Sequence, residues 1–151
     1  MARRKVLVVT SIVLSAAMIA LMLMAYAAIN VSVSINSSGS IAASPNIGVY
    51  SNSACTTLLT TISWGSPSPG GTVTQTVYVK NTQGTASLTL SMTASNWNPT
   101  SANGPLTVTW NQQGTVLAPG QSTAATLTLK VSSSIAGITT FSVQISISGT
   151  S

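Results

Sequence analysis

The feature that most constrains this chain is an alternation of apolar and small polar side chains, which recurs from Ala28 onwards. A period of two residues places the apolar side chains on one face of an extended strand and the polar ones on the other. The apolar positions of the runs are Ile29, Val31, Val33 and Ile35; Ile62 and Trp64; Val73, Val77 and Val79; Leu88, Leu90, Met92 and Ala94; Leu106, Val108 and Trp110; Leu127, Leu129 and Val131; and Phe141, Val143, Ile145 and Ile147.

These runs predict an all-β fold, an antiparallel β-sandwich of seven or eight short strands whose apolar faces close a single core. Segments rich in Pro, Gly and Asn separate the runs and predict turns at 67–71, 81–84, 98–105, 119–120 and 136–137. The sandwich domain is predicted over 46–151. It follows a segment, 28–45, which contains an N-terminal strand and, at 37–44, a flexible connection.

The first part of the chain, 1–27, has the composition of a targeting segment. Basic residues precede an uncharged apolar run from Val6 to Met24, which predicts one apolar helix, and Ala25-Tyr26-Ala27 fits a signal-peptidase site. Two interpretations stay open: a signal cleaved after Ala27, or an uncleaved membrane anchor. A type IV pilin ranks third, because no Gly or Ala processing site separates the basic cluster from the apolar run. Either leading interpretation places the rest of the chain outside the cytoplasm, at the cell surface.

The charge distribution argues against a nucleic-acid partner. The chain has five Lys and Arg residues and no Asp, Glu or His. Three of the five basic residues lie in the N-terminal cluster, so that only Lys80 and Lys130 remain in the body of the chain. Two isolated lysines do not form the basic patch that binds a phosphate backbone.

The same composition removes the usual means of catalysis. General acid–base chemistry depends mainly on His, Asp and Glu, and a serine nucleophile needs a base beside it. Metal sites lose their imidazole and carboxylate ligands as well, so the sequence predicts a non-enzyme without a cofactor. Cys55 is the only cysteine and cannot form a disulfide within the chain. A buried, inert thiol is the favoured interpretation, with pairing between subunits or attachment of a lipid as alternatives.

The absence of carboxylates also predicts tolerance of acid. Asp and Glu titrate near pH 4, and their protonation is a main cause of acid unfolding. A chain that lacks them keeps nearly constant charge as the pH falls. We therefore expect an acidic extracellular habitat.

Two similar segments carry a resemblance to a known class of module. SPGGTVTQTVYVKN begins at Ser68, and APGQSTAATLTLKV begins about fifty residues later at Ala118; each has a Pro-Gly turn, a Thr-rich strand and a terminal lysine. From Ile62 to Ser148 the chain resembles extracellular immunoglobulin-like modules of the CARDB/NEW3 type, in which such turns precede two long strands and a glycine, here Gly137, precedes the last. Gln83 departs from their Lys-Asn-Thr-Gly pattern. The resemblance implies an immunoglobulin-like fold; the modules serve as spacers, adhesins, sugar-binding accessories and filament subunits.

Few residues stand out as candidate sites. Asn30 and Asn36 begin Asn-X-Ser sequons on the polar face of the first run, and are candidate glycosylation sites. Trp64 and Trp110 are in phase with the core positions and are predicted to be buried. Trp97 lies at a strand end and is the candidate for a ligand contact such as a sugar.

The segment that contains Ile29, Val31, Val33 and Ile35 suggests how the protein assembles. A strongly alternating strand followed by a flexible connection is suited to add to a neighbour's sheet as a donor strand. The architecture resembles that of archaeal thread-type pilus subunits, and implies a filament of identical subunits with a glycosylated surface. Pairing of this strand within its own domain is the alternative. A membrane-anchored adhesin or carbohydrate-binding module is the alternative function.

Overall fold

The computed structural model describes residues 35–44 and 46–151, which form nine β-strands in two sheets. The strands are β1 (Asn36–Ala43), β2 (Ile47–Tyr50), β3 (Thr61–Gly65), β4 (Thr72–Asn81), β5 (Leu88–Asn98), β6 (Leu106–Trp110), β7 (Val116–Leu117), β8 (Ser122–Val131) and β9 (Thr140–Thr150). A 3₁₀ turn (Thr100–Ala102) follows β5. The described residues, 35–44 and 46–151, contain no α-helix. The all-β prediction is confirmed. The predicted N-terminal helix lies outside the described residues, and within them no helix has the length and apolarity to span a membrane.

The strands divide into a five-stranded sheet in the order β3-β1-β9-β5-β7 and a four-stranded sheet in the order β2-β4-β8-β6. Neighbouring strands are antiparallel with one exception among the described pairs: β1 runs parallel to β9, from Asn36 beside Thr140 to Ala43 beside Ile147. The expectation of a wholly antiparallel arrangement is therefore wrong at this pair. β1, the first strand of this sheet along the chain, lies inside the sheet between β3 and β9.

Nine strands replace the seven or eight expected. Six of the alternating runs lie on described strands, and the alternation did not indicate the other three, β1, β2 and β7. β2 has four residues and β7 has two, too few to show an alternation. The segment 37–44, predicted as a flexible connection, instead lies largely within β1. Ser and Gly are poor strand formers, so β1 is extended because both its neighbours supply hydrogen-bonding partners, not because of its own composition.

The core lies between the two sheets and consists of the apolar faces that the alternation predicts. The strands β4, β6, β8 and β9 each contribute fully buried Val, Leu or Ile side chains. In β5 the alternation weakens along the strand: Leu88 and Leu90 are buried, whereas Met92 and Ala94 are half-buried. The predicted turns at 67–71, 119–120 and 136–137 lie between strands.

One polar side chain is fully buried at the end of β4. Asn81 is 0% exposed, and its side-chain amide donates hydrogen bonds to the backbone carbonyls of Ala86 (2.9 Å) and Leu117 (3.0 Å). Its Oδ1 accepts a hydrogen bond from the backbone N–H of Gln83 at 2.9 Å. These bonds offset the desolvation of the amide and hold the 82–87 loop against β7.

Candidate functional site

The first candidate site is the slot between β3 and β9, which β1 occupies. β1 forms eight parallel register pairs with β9 and four antiparallel pairs with β3. Among the described strands of this sheet, β1 is the sole neighbour of β3. Removal of β1 would therefore leave β3 and β9 with facing unpaired edges and would uncover the core residues beneath them.

The side of β1 that faces the core has no room for a side chain at Gly39. Gly39 is buried against β3, and a Cβ built on it would lie 2.6 Å from Ile62 Cγ2 and 3.3 Å from Trp64 Nε1. The Trp64 side chain is 2% exposed, as predicted, and within the described part of the chain its Nε1 is buried without a hydrogen-bond partner. Trp64 thus packs on bare backbone, and its indole N–H loses the hydrogen bond that it makes with water in the unfolded chain.

The predicted donor-strand residues lie mostly outside the described part of the chain. Ile29, Val31, Val33 and the sequon residue Asn30 are among the residues whose structure is not described. Ile35 is 0% exposed, and its backbone N–H donates to the carbonyl of Pro67 at 3.3 Å.

The second sequon residue lies at the surface. Asn36 is the exposed first residue of β1, and its Oδ1 accepts a hydrogen bond from Ser66 Oγ at 3.3 Å. The Asn36 side chain therefore lies on the outer face of the five-stranded sheet, and its glycosylation stays a prediction.

The two similar segments form adjacent strands of the four-stranded sheet. They are β4 and β8, which pair antiparallel from Thr72 beside Lys130 to Lys80 beside Ser122. Equivalent positions of the two segments, Thr76 and Thr126, lie directly opposite each other, so an approximate two-fold axis passes between them. The sequence showed the duplication, but a spacing of about fifty residues does not reveal which strands pair.

The two-fold relation extends to the turns that precede each strand. Gly70 and Gly120 have φ angles of +75° and +74°, and the residue after each donates its N–H to the carbonyl three positions before it, at 2.9 and 3.0 Å. A positive φ at the residue after Pro is the signature of a type II turn, which favours glycine there. Each turn also accepts a bond from the other strand's end: Val131 N–H donates to Gly71, and Asn81 N–H donates to Gln121.

The twin lysines both point to the outer face of the four-stranded sheet, as the strand alternation predicts. Lys130 is exposed and Lys80 is half-buried, and the two lie at opposite ends of the β4–β8 pair. Each borders a groove that includes the other segment's Pro-Gly turn: Gly70 in the groove at Lys130, Gly120 in the groove at Lys80.

Aromatic side chains distinguish the end of the β4–β8 pair at Lys80 from the end at Lys130. Tyr50 of β2 and Tyr78 of β4 are half-buried cross-strand partners on the outer face, two positions from Lys80 along β4. The position equivalent to Tyr78 in the other segment is Thr128. The sequence alone does not reveal that the two tyrosines are neighbours, because β2 has only four residues, too few to show an alternation.

Trp97, the predicted ligand contact, packs into the core at the end of β5. It is 8% exposed, and its ring centroid lies 5.9 Å from that of Phe141 at an interplanar angle of 34°. The residue before it, Asn96, has a φ of +52° and interrupts the register of β5 with β9. A depression lined in part by Asn96, Trp97, Thr100 and Asn103 lies at this end of β5. A ligand role for Trp97 stays a prediction.

Two other residues, Trp110 and Cys55, are less buried than the sequence predicts. Trp110 is half-buried instead of buried, and its Nε1 donates to Gln113 Oε1 at 2.9 Å. Cys55 is also half-buried; it lies in the β2–β3 loop with a φ of +52°. Asn52 holds this loop through its Oδ1, which accepts the backbone N–H groups of Thr56 and Thr57, both at 3.1 Å. The Cys55 thiol donates a weak hydrogen bond to the carbonyl of Ser53 at 3.8 Å and is not part of the hydrophobic core.

Comparison with known proteins adds no family assignment. The chain matches no protein-family model, and no curated protein is significantly similar to it.

Proposed function

We propose that the protein is a non-enzymatic extracellular structural protein with an immunoglobulin-like fold, whose copies assemble into a filament by exchange of the N-terminal strand. The observation that carries the proposal is the place of β1, an internal strand of the five-stranded sheet that comes first among the described strands. A strand next to the N-terminal segment can be supplied by another copy while the order of all later strands stays the same.

The sequence before β1 supports the exchange. Residues Ile29, Val31, Val33 and Ile35 form a more apolar alternation than NSSGSIAA, the sequence of β1. A longer strand drawn from 28–43 therefore has more apolar surface to bury between β3 and β9 of a neighbour than β1 has by itself.

The connection and the surface are consistent with assembly. Three residues, 44–46, join β1 in one sheet to β2 in the other, and short connections favour exchange between copies over closure within one chain. The body of the chain carries two lysines and no acidic residue, so subunits repel one another weakly. Glycans on Asn30 and Asn36 would cover a surface otherwise made of hydroxyl and amide side chains.

A disulfide between β1 and β3 distinguishes exchange from pairing within one chain. Ser40 and Thr61 are exposed register partners on these strands, and both are replaced by cysteine in a chain that also carries Cys55→Ser. If β1 is exchanged, oxidation links neighbouring subunits covalently, and non-reducing gels of assembled protein show a ladder. A linked monomer alone would overturn the proposal.

A matched pair of positions controls for the chemistry of oxidation. Ser91 of β5 and Ser148 of β9 are register partners with Oγ atoms 2.7 Å apart, and both belong to strands that stay within one chain. Cysteines at these positions should give a linked monomer whether or not β1 is exchanged. A ladder from this control would show that random contact between subunits, not strand exchange, produces the cross-links.

Deletion of 28–41 gives a second, independent test. The shortened chain lacks most of β1 and should fail to form filaments under negative-stain microscopy, yet bind a synthetic peptide of the deleted sequence. Filaments formed by the shortened chain alone would contradict the proposal. An adhesin or a carbohydrate-binding module, the alternative that the sequence left open, is monomeric, and its full chain would form no filaments under the same conditions.

A further inference from the structure

We propose that Tyr50, Tyr78 and Lys80, on the outer face of the four-stranded sheet, form a binding surface for an acidic polysaccharide. The surface lies on the sheet that does not contain β1, so the proposal does not depend on strand exchange.

The ring of Tyr50 lies along the sheet instead of projecting from it. Gly48 is on the outer face of β2 and yet is buried, because a Cβ built on it would lie 2.5 Å from both Cε2 and Oη of Tyr50. Gly48 is the register partner of Lys80 on β4. Because the Tyr50 ring covers Gly48, its hydroxyl end points along β2 toward the Gly48–Lys80 register pair. A glycine is required for this conformation, since any larger residue would displace the ring.

Tyr78 extends the aromatic surface across the sheet. Its register partners are Tyr50 on β2 and Ala124 on β8, and the exposed methyl group of Ala124 is too small to cover the ring. Two half-buried tyrosines on neighbouring strands of the outer face suit the C–H faces of pyranose rings, whose slightly positive hydrogens pack on the negative face of an aromatic ring. The tyrosine hydroxyls supply polar contacts to the sugar.

Lys80 selects for negative charge. It lies on the same face as Tyr78 at i+2, a rise of about 6.6 Å along the strand. The chain contains no Asp or Glu side chain with which its ammonium can pair. Beyond it a groove of about 420 Å³, lined in part by Thr82, Gln83 and Gly120, offers hydroxyl, amide and backbone groups. A uronate carboxylate beside Lys80 would find the missing counter-charge.

The two-fold relation within the sheet provides an internal control. Lys130 borders a similar groove beside Gly70 at the other end of the β4–β8 pair. Its register neighbours are Thr72 and Thr107, and Thr128 stands where the first segment has Tyr78. Lys130 therefore combines the same charge and the same turn with a surface that lacks aromatic rings.

The experiment measures binding of an oligogalacturonate to the full chain in mild detergent by titration calorimetry at low ionic strength. Tyr78→Thr, which gives position 78 the residue of its twin, should weaken binding by at least about tenfold. Lys80→Gln should weaken binding several-fold and reduce its dependence on salt, and Lys130→Gln should leave both unchanged. All three positions are on the outer face, and thermal melting checks that each variant keeps its stability.

Four outcomes would overturn the proposal. If the unmodified chain gives no heat of binding, the site does not exist. If Lys80→Gln and Lys130→Gln weaken binding equally, the attraction is non-specific and depends on net positive charge. If Tyr78→Thr leaves the affinity unchanged, the tyrosine does not stack on the sugar. If a neutral maltooligosaccharide or a polyglutamate peptide binds with equal affinity, the ligand class is not an acidic polysaccharide.

Discussion

The strand pairs β4–β8 and β1–β9 lie in different sheets and are specified in different ways. β4 and β8 are antiparallel twins, each with an apolar core face and each preceded by the same type II turn. In the other pair, β9 has a continuous apolar face, whereas β1 contributes Gly39, small residues and a half-buried Ile41. The first pair is specified by both partners. The β1–β9 pair is specified by the edges of β9 and β3, and β1 contributes little apolar surface of its own.

The largest expected effect concerns the core side chains of the two pairs. Leu129 of β8 is 0% exposed, and Leu129→Ala should lower the free energy of unfolding by about 3 kcal/mol because it removes a large buried side chain and leaves a cavity. Ile41→Ala in β1 should lower it by about 1 kcal/mol, because Ile41 is only partly buried. Denaturant unfolding of the full chain measures both values. Equal losses would show that β1 contributes to the core as strongly as β8.

The packing of β1 on Trp64 predicts the next effect. Gly39→Ala places a methyl group 2.6 Å from Ile62 Cγ2 and should cost about 2 kcal/mol through overpacking. Ile62→Ala removes the obstructing atom, so the double variant should lose less stability than the sum of the two single variants. A double-mutant cycle by denaturant unfolding measures this coupling. Strict additivity would contradict the close packing of β1 on β3.

The two Pro-Gly turns should respond alike to substitution. Gly70→Ala and Gly120→Ala each force a residue with a Cβ to a φ near +75°, at about 1 kcal/mol each. A Cβ at position 120 meets no described atom within 4 Å, and one at position 70 meets Ser133 Cβ at an ordinary 3.5 Å, so the penalty is conformational in both. Thermal melts of the two variants should coincide. A much larger loss at either turn would show that the twin segments are not equivalent in the folded chain.

The sequence predicts the β4–β8 pair but not the place of β1. The alternation predicts β4, β8 and β9 because their core faces are apolar throughout, and an apolar face fixes the register of a strand. It misses β1 because Ser37, Gly39 and Ser40 carry no such signal; these residues are extended through the hydrogen bonds of β3 and β9, which are distant in sequence. The pairing of Tyr50 with Tyr78 escapes for a related reason, since register between strands depends on the whole sheet.

Acid should affect the two strand pairs equally, and hardly at all. The dependence of stability on pH is proportional to the difference in protons bound by the unfolded and folded states. Neither pair contains a carboxylate or an imidazole, and no such side chain occurs elsewhere in the chain. Between pH 2 and pH 7 only the chain termini change protonation, so the difference is close to zero. Tm at pH 2 should lie within about 2 °C of that at pH 7. Hydrogen exchange, corrected for its intrinsic pH dependence, should show the same ratio of protection between β1 and β8 at both pH values. Preferential opening of β1 in acid would mean that its attachment depends on a titrating group outside the side chains considered, such as the carboxyl terminus that follows β9.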